Sequence, residues 1–400
     1  MAEPAPGGQA DVVVVGAGPA GAATARRLAL AGWRVVLVEG SRFQAPRVGE
    51  SLAPAVQPLL QALGVWHGFT ALATAPSWGT RSRWGTDEEQ THSHLQSAWG
   101  CGWHVDRLAF DRLLADAAVS AGARRLDGCT VQACTPGPRG WQLRLLGPGA
   151  SEGCPGAGGV LQARLLIDAT GRQARLARRL GARRLLFDPL VGVAAHWAPA
   201  AWGPGPGQAA AAQQVVLVET APEGWWYSAP LPGGCSGAGM VAMLFTDADL
   251  CGRAGLAEAR HWQARLEDAP ATRQRLAGHT LRWGPRACSA ASHRLWRPPG
   301  SAAWLAVGDA ALAVDPISGS GVVRALRGAA AAAAAALECL PVPGSARALE
   351  SMAAYEAALD QDCGRYLQER AAYYALERRW QAHPFWQRRA QAAQALAQSP

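Results

Sequence analysis

One run of residues limits the fold more than any other. Asp11 to Glu39, DVVVVGAGPAGAATARRLALAGWRVVLVE, reads as strand, glycine turn, helix and second strand without interruption. Val12 to Val15 is a β-branched run with no polar break, the pattern of a strand buried on both faces of a parallel sheet. Gly16, Gly18 and Gly21 follow in GxGxxG spacing: the first permits the turn, the second lets backbone approach a pyrophosphate, and the third lets the helix pack on its strand. The helix extends to about Gly32, and its free amides and positive dipole end suit phosphates without a basic side chain. Val35 to Val38 is the second strand. Glu39 closes it about twenty residues past the glycines, where a carboxylate accepts both ribose hydroxyls. Ala20 lies inside the same turn, and an acid at Glu39 suits FAD or NAD and disfavours a 2′-phosphate.

With 400 residues, 49% of them hydrophobic, the chain exceeds one ordinary core and predicts two lobes with room for an enclosed site. The opening MAEPAPGGQA has no basic segment followed by an apolar one, so no signal peptide is expected. Ala329 to Ala336 is bracketed by Arg324, Arg327 and Glu338 and reads as a helix outside any membrane. The nine cysteines show no CxxC and no zinc spacing, which predicts no metal and reduced thiols in the cytoplasm. The formal charge of +8 includes a dense group at Arg172, Arg175, Arg178, Arg179, Arg183 and Arg184. Lysine is absent from the chain, however, and these arginines are interleaved with leucines as on an amphipathic helix. That pattern argues for a coding bias, and no nucleic-acid partner is expected.

Past Glu39 a loop with Arg42 and Arg47 returns to the nucleotide and leads into Gly49-Glu50-Ser51 and a helix ending near Gly64. Trp78 to Leu95 has strand-like stretches, with His92 and His94 alternating. Gly102 to Gly122 is an amphipathic helix that Asp106 can cap. Strands surround a Pro- and Gly-rich connection, Pro136 to Gly159, and close on Leu165 to Ile167. Val191 to Trp197, Val215 to Glu219 and Met240 to Phe245 are strand-like and should roof a pocket. Glu258 to Ala277 is helical, Leu281 to Trp296 is a Trp-rich strand, Trp304 to Val307 is a short buried strand, and helices fill the remainder. The expected domains are an FAD-binding domain from 1–75, 100–185 and 297–340, a substrate domain from 76–99 and 186–296, and a C-terminal helical region, 341–400.

Two later segments turn a dinucleotide lobe into a flavin lobe. Ile167-Asp168-Ala169-Thr170-Gly171-Arg172 is a strand ending in an acid and a glycine. Gly308-Asp309-Ala310-Ala311 is followed by Asp315-Pro316-Ile317-Ser318-Gly319-Ser320-Gly321. An aspartate at a strand end can accept from ribityl hydroxyls, and a Gly-rich turn opening a helix can aim amides at a flavin ring.

With these motifs in this order, the chain resembles the FAD-dependent monooxygenases of the para-hydroxybenzoate hydroxylase fold, and within them the flavin-dependent tryptophan halogenase-like branch. GAGPAG resembles the pyrophosphate turn, VGESLAP the segment after the ribose, VDRLAFDRLL the helix whose Arg107 touches the cofactor, and DATGR the middle motif. GDAALAVDPISGSGV resembles the flavin segment and carries Asp309, Pro316, Gly319 and Gly321 into cofactor roles; GWWYSAPLP resembles the branch's tryptophan-rich strand. VGESL, SRWG, GWHVDRLAFD and DATGR look most like flavoproteins of tryptophylquinone maturation. Halogenases of this branch use a lysine after the GES-like segment, and around Ser77, Trp78 and Gly79 there is none.

The resemblance implies an α/β fold, with a Rossmann-like FAD-binding domain of glutathione-reductase type interleaved with a β-sheet substrate domain and followed by a C-terminal helical segment. It implies an FAD-dependent monooxygenase that hydroxylates an aromatic ring, whether a free indole or a tryptophan in a peptide or protein, through a flavin C4a-hydroperoxide. Electrons would come from NAD(P)H docking transiently or from a separate flavin reductase, since Gly233 to Gly239 lacks the helix and acid of a second nucleotide site. Glu50 lies between flavin and substrate by this resemblance, as base, relay or loop carboxylate. Trp225, Trp226 and His92 are substrate candidates, although a strand sends the two tryptophans to opposite faces. Three alternatives stay open: a halogenase-like enzyme lacking the lysine, a reductase of the geranylgeranyl-reductase kind, and a non-catalytic FAD-binding or basic interaction protein.

Overall fold

A computed structural model describes residues 8–137, 140–148, 159–200, 214–233, 238–298 and 303–397. The start of the chain, residues 138–139 and 149–158 of the Pro136 to Gly159 connection and the middle of the Gly233 to Gly239 stretch lie outside the described residues.

The opening unit forms strand β1 (Gln9–Val15), helix α1 (Pro19–Leu30) and strand β2 (Val35–Glu39). Helix α2 (Arg107–Ser120) begins at Asp106, whose carboxylate accepts from the Leu108 and Ala109 amides and so fills donors that a helix start leaves unpaired. The four residues before that cap, Gly102–Val105, are a strand, so the expected helix is shorter at its start. Strand β3 (Val160–Asp168) lies on the other side of β1, and Val12 sits in parallel register between Val35 and Leu165.

Arg124–Asp127 extends this sheet beyond β2, while Trp304–Ala306 runs parallel to the end of β3 and Gly140–Leu146 antiparallel to its beginning. Because β1 is central, its valines serve two cores. Val12 and Val14 pack with Leu28, Leu114 and Leu326 on one face, and Val13 packs with Val36, Leu166 and Trp304 on the other. This is the Rossmann-like FAD-binding architecture that the motifs imply.

Among the described residues the second sheet has seven strands. Strands β4 (Gly224–Leu231) and β5 (Gly239–Asp247) lie in its middle, flanked by Leu190–Pro199 and His279–Ser289 on one side and Val216–Ala221, Gly79–Arg83 and Gln90–Ser93 on the other. Alternation divides its residues: Trp226, Ala242 and Leu244 face a core with Trp262, whereas Trp225, Met243 and Phe245 face a core with Trp84, Tyr374 and Phe385.

Helix α3 (Gly321–Cys339) packs its alanine-rich face beside α1, and α4 (Ala346–Ala375) and α5 (Pro384–Ala397) close the chain. Two expected elements are interrupted. The helix over 258–277 stops and restarts at Pro270, which has no amide hydrogen and disfavours helical backbone at Ala269. The Leu281 to Trp296 run divides at Ala290, where the chain leaves the large sheet so that His293–Trp296 can pair with Arg183–Leu186. Among the described residues no helix is long and apolar enough to cross a membrane.

Candidate functional site

The C-terminal ends of β1 and β3 face the second sheet across a cavity of about 500 Å3. A larger cavity, about 1080 Å3, lies at the opposite, N-terminal end of these strands beside Arg34, Trp141 and Arg297. Parallel sheets take their ligands at the carboxyl ends of the strands. All candidate residues with a cavity position also line the smaller one, which is therefore the candidate site.

Local chemistry explains its first wall. Gly16 has φ +106°, and a Cβ there would run into the Ala169 carbonyl group. Gly21 meets the Gly16 backbone and comes within 2.8 Å of the Ala169 Cβ, so any side chain would push α1 off its strand. Gly18 differs, because a Cβ there would meet nothing within 4 Å. It lines the cavity with Ala20, at a helix start that has no side-chain cap. An uncapped α1 terminus facing open space fits a phosphate group.

The second wall is the turn after Asp315. Pro316, Gly319 and Gly321 border the cavity directly, and nothing lies within 4 Å of the Cβ positions of Gly319 and Gly321. Asp309 borders it too, half-exposed and paired with Arg172 at 3.4 Å. Sequence reading placed Arg172 in the arginine group and at the end of the DATGR motif, without a role of its own. Its guanidinium donates to the Ala290, Ala291 and Val314 carbonyls and so ties three segments around the site.

Glu39 and Arg47 lie outside the cavity lining, at the end of β2. The Glu39 carboxylate accepts from the Ala17 amide at 2.7 Å and from Ser41, while Arg47 reaches Glu39 at 3.3 Å and Asp111 at 2.7 Å. Arg107 also grips Asp111, at 3.1 Å, and donates to the Val48 and Gly49 carbonyls. Asp111 is thus a buried carboxylate serving two guanidinium groups. Its replacement by asparagine is expected to cost roughly 2–4 kcal/mol in urea unfolding, since it leaves Arg107 without its paired carboxylate and Arg47 with Glu39 alone.

Glu50 occupies the junction of these walls. It is 1% exposed, and neither carboxylate oxygen has a hydrogen-bond partner. Burial pushes its pKa up to about 7, with the nearby Glu50 and Gly49 backbone amides and the charge of Arg107 opposing the rise. Ser51, beside it, is 2.9 Å from the Tyr227 hydroxyl and 3.1 Å from His104 Nδ1. His104 is fully buried, which together with the Arg275 charge depresses its pKa to about 3 and keeps the ring neutral. Tyr227 lines the cavity, and burial with the Glu50 charge raises its pKa well above the usual phenol value. Neither Tyr227 nor His104 was singled out from sequence. Strand alternation from Trp225 offered the signal for Tyr227, whereas His104 had none.

The proposed substrate residues separate. Trp225 lines the cavity, stacked on Phe245 at 4.1 Å. Trp226 is turned into the opposite core against Trp262, because adjacent strand residues point to opposite faces. His92 sits on the exposed edge strand, away from the cavity, and His94 takes the cavity position, its ring held 3.0 Å from the Ser77 carbonyl. The run turns into a short 3₁₀ segment at His94, which breaks the alternation that would have aligned the two rings. Among the described residues no group of three or more potential ligands could hold a metal ion.

Comparison with known proteins places this geometry. Residues 9–354 match the FAD binding domain family. The putative FAD-dependent oxidoreductase LodB of Marinomonas mediterranea is 31% identical over 391 residues, covering 95% of this chain and 96% of LodB. The myxobacterial chondrochloren halogenase CndH superposes with a TM-score of 0.80 at 23% identity, over 96% of this chain and 86% of CndH. The peptidyl tryptophan dihydroxylase QhpG, essential for tryptophylquinone cofactor biogenesis, superposes with a TM-score of 0.71 at 28% identity, over 95% of this chain and 78% of QhpG.

Proposed function

The chain belongs to the FAD binding domain family of flavin-dependent oxidoreductases, and from that premise we propose that it hydroxylates an aromatic ring, an indole or a tryptophan side chain within a polypeptide. The uncapped α1 terminus with Gly18 would hold the pyrophosphate, Glu39 and Arg47 the adenosine end, Arg107 and Asp309 the middle, and Pro316 to Gly321 the ring. Bound FAD would supply the redox chemistry and the activation of dioxygen. Two electrons would enter from outside the chain, from a nicotinamide cofactor or a reductase.

The carrying observation is Glu50: a buried carboxylate with no partner and a pKa of about 7, set between the Pro316 turn and the Trp225–Phe245 wall. A group so placed takes the proton that leaves the ring carbon when oxygen replaces hydrogen. The Tyr227 hydroxyl, chained through Ser51 to His104, orients a polar edge of the substrate. The apolar wall of Trp225, Met243 and Phe245 excludes water from the reacting ring.

Three observations support this reading over its competitors. The chain has no lysine, which disfavours halogenation by the lysine-dependent route. QhpG acts on a peptidyl tryptophan, and LodB is similar along nearly its whole length. Exposed Trp78, Leu95 and Trp99 flank the cavity residues Ser77 and His94 and would suit a polypeptide approaching the mouth. The test is oxygen consumption by the FAD-loaded protein with a flavin reductase, indole, and a tryptophan-containing peptide. Hydroxylated product appearing with oxygen uptake is expected; a product formed without oxygen, or one carrying bromide when bromide is supplied, would sink the reading.

A further inference from the structure

Helix α4 runs past residue 354, where the family match ends, and its last turns contact both walls of the site. Tyr374 is the junction. Trp225 Nε1 lies 3.0 Å from the Tyr374 hydroxyl, and that hydroxyl lies 2.8 Å from Asp315 Oδ2. The direction of this chain is fixed by chemistry: an indole N–H can only donate, so the tyrosine oxygen accepts from Trp225 and sends its own proton to the aspartate.

Asp315 begins the turn that borders the cavity at Pro316 and Gly319. Its Oδ1 accepts from the Ile317 amide at 3.0 Å, which shapes the turn, and its own amide donates to the Tyr366 hydroxyl at 2.8 Å. Arg370 stands 3.6 Å from the same carboxylate and pairs with Asp188 at 3.1 Å. Three side chains of α4, one helical turn apart, therefore determine where this turn sits. Trp225 is at the same time the wall against which an aromatic guest would lie.

We propose that Tyr374 is a positioning residue that couples the aromatic wall to the flavin-side turn: displacement of Trp225 by a guest is passed through the Tyr374 hydroxyl to Asp315 and alters how the turn holds FAD. This rests on the reading of the cavity as an FAD site. Hydrogen bonds in a buried chain polarise one another, so a change at one end is felt at the other. Trp225, Tyr374 and Asp315 are all fully buried, and solvent does not interrupt the path.

The experiment is a double-mutant cycle on FAD affinity, measured by titrating FAD into the apoprotein without substrate or turnover. Tyr374→Phe keeps the ring and loses the hydroxyl; Trp225→Phe keeps an aromatic wall and loses the N–H. Each single change is expected to weaken FAD binding about five- to tenfold, and the double variant to bind no more weakly than Tyr374→Phe alone. Effects that multiply, or single variants indistinguishable from the parent, would overturn the coupling while leaving FAD binding intact. Failure of the parent protein itself to bind FAD would instead overturn the reading of the cavity, and the coupling with it. Apoprotein unfolding of each variant, measured alongside, identifies any variant that has lost its fold, and Trp225→Leu then replaces Trp225→Phe in the cycle.

Discussion

Glu50→Gln is expected to lower turnover of an aromatic substrate by about a hundredfold above pH 7, while the flavin absorption of the loaded protein is unchanged. Glutamine has nearly the same shape, so the loss would report the proton and not the packing. The pH profile sharpens the expectation. Glu50 has a pKa of about 7, and as a base it works ionised, so kcat/KM should climb tenfold per unit up to pH 7 and then level off. Glu50→Gln should lack that limb. A variant with full activity, or one that keeps the same limb, would remove Glu50 from the chemistry.

The same residue carries a stability signature of opposite sign. Its pKa is raised from 4.5 to about 7 on folding, so the folded chain holds the proton more tightly than the unfolded chain. Its contribution is fully present below pH 4.5 and is lost as pH rises through 7, a change of about 3 kcal/mol. The physical cause is burial of a carboxylate whose loss of water the nearby Glu50 and Gly49 amides and Arg107 only partly offset. Urea unfolding of the apoprotein across this range should show that slope in the parent and a flat contribution in Glu50→Gln. A site that is most active where its key group is least comfortable is the expected compromise between stability and function.

Gly18→Val is expected to weaken FAD binding by a hundredfold or more and leave the fold standing. A Cβ at Gly18 meets no atom within 4 Å, so the apoprotein should unfold at a temperature close to that of the parent. The added isopropyl group would instead fill the space through which the α1 amides reach a phosphate. Loss of charge-assisted hydrogen bonds worth roughly 3 kcal/mol accounts for the hundredfold. Gly21→Ala is the control with the reverse outcome. Its Cβ would overlap the Gly16 carbonyl, so it should destabilise the apoprotein by about 1–3 kcal/mol before any cofactor is added. Calorimetry and FAD titration on both variants separate the two roles of these glycines. Equal affinity in Gly18→Val and the parent would mean that FAD does not approach α1.

The strand, turn, helix and strand from Asp11 to Glu39 were legible in the sequence, and so was the fold class. These features are short-range: an unbroken β-branched run and glycine spacing are decided within a few residues, and the order of the later motifs follows from the order of the strands. The interruption at Pro270 was also written locally, although the helix over 258–277 was expected to be continuous. His92 and His94 show where local pattern stops helping, since a single turn at His94 decides which ring reaches the cavity.

Tertiary structure alone decided the surroundings of Glu50 and Trp225, two residues the sequence had already brought forward. Glu50 is one carboxylate among thirty acidic residues in the sequence, and only packing on every side leaves it buried without a donor. Tyr374 meets Trp225 across 149 positions and Asp315 across 59, a contact that no periodicity encodes. Desolvation and side-chain pairing depend on what the fold brings near from far along the chain. The sequence therefore determined the frame that can hold a dinucleotide, and the packing of distant segments determined which carboxylate is buried there and which aromatic wall lines the cavity.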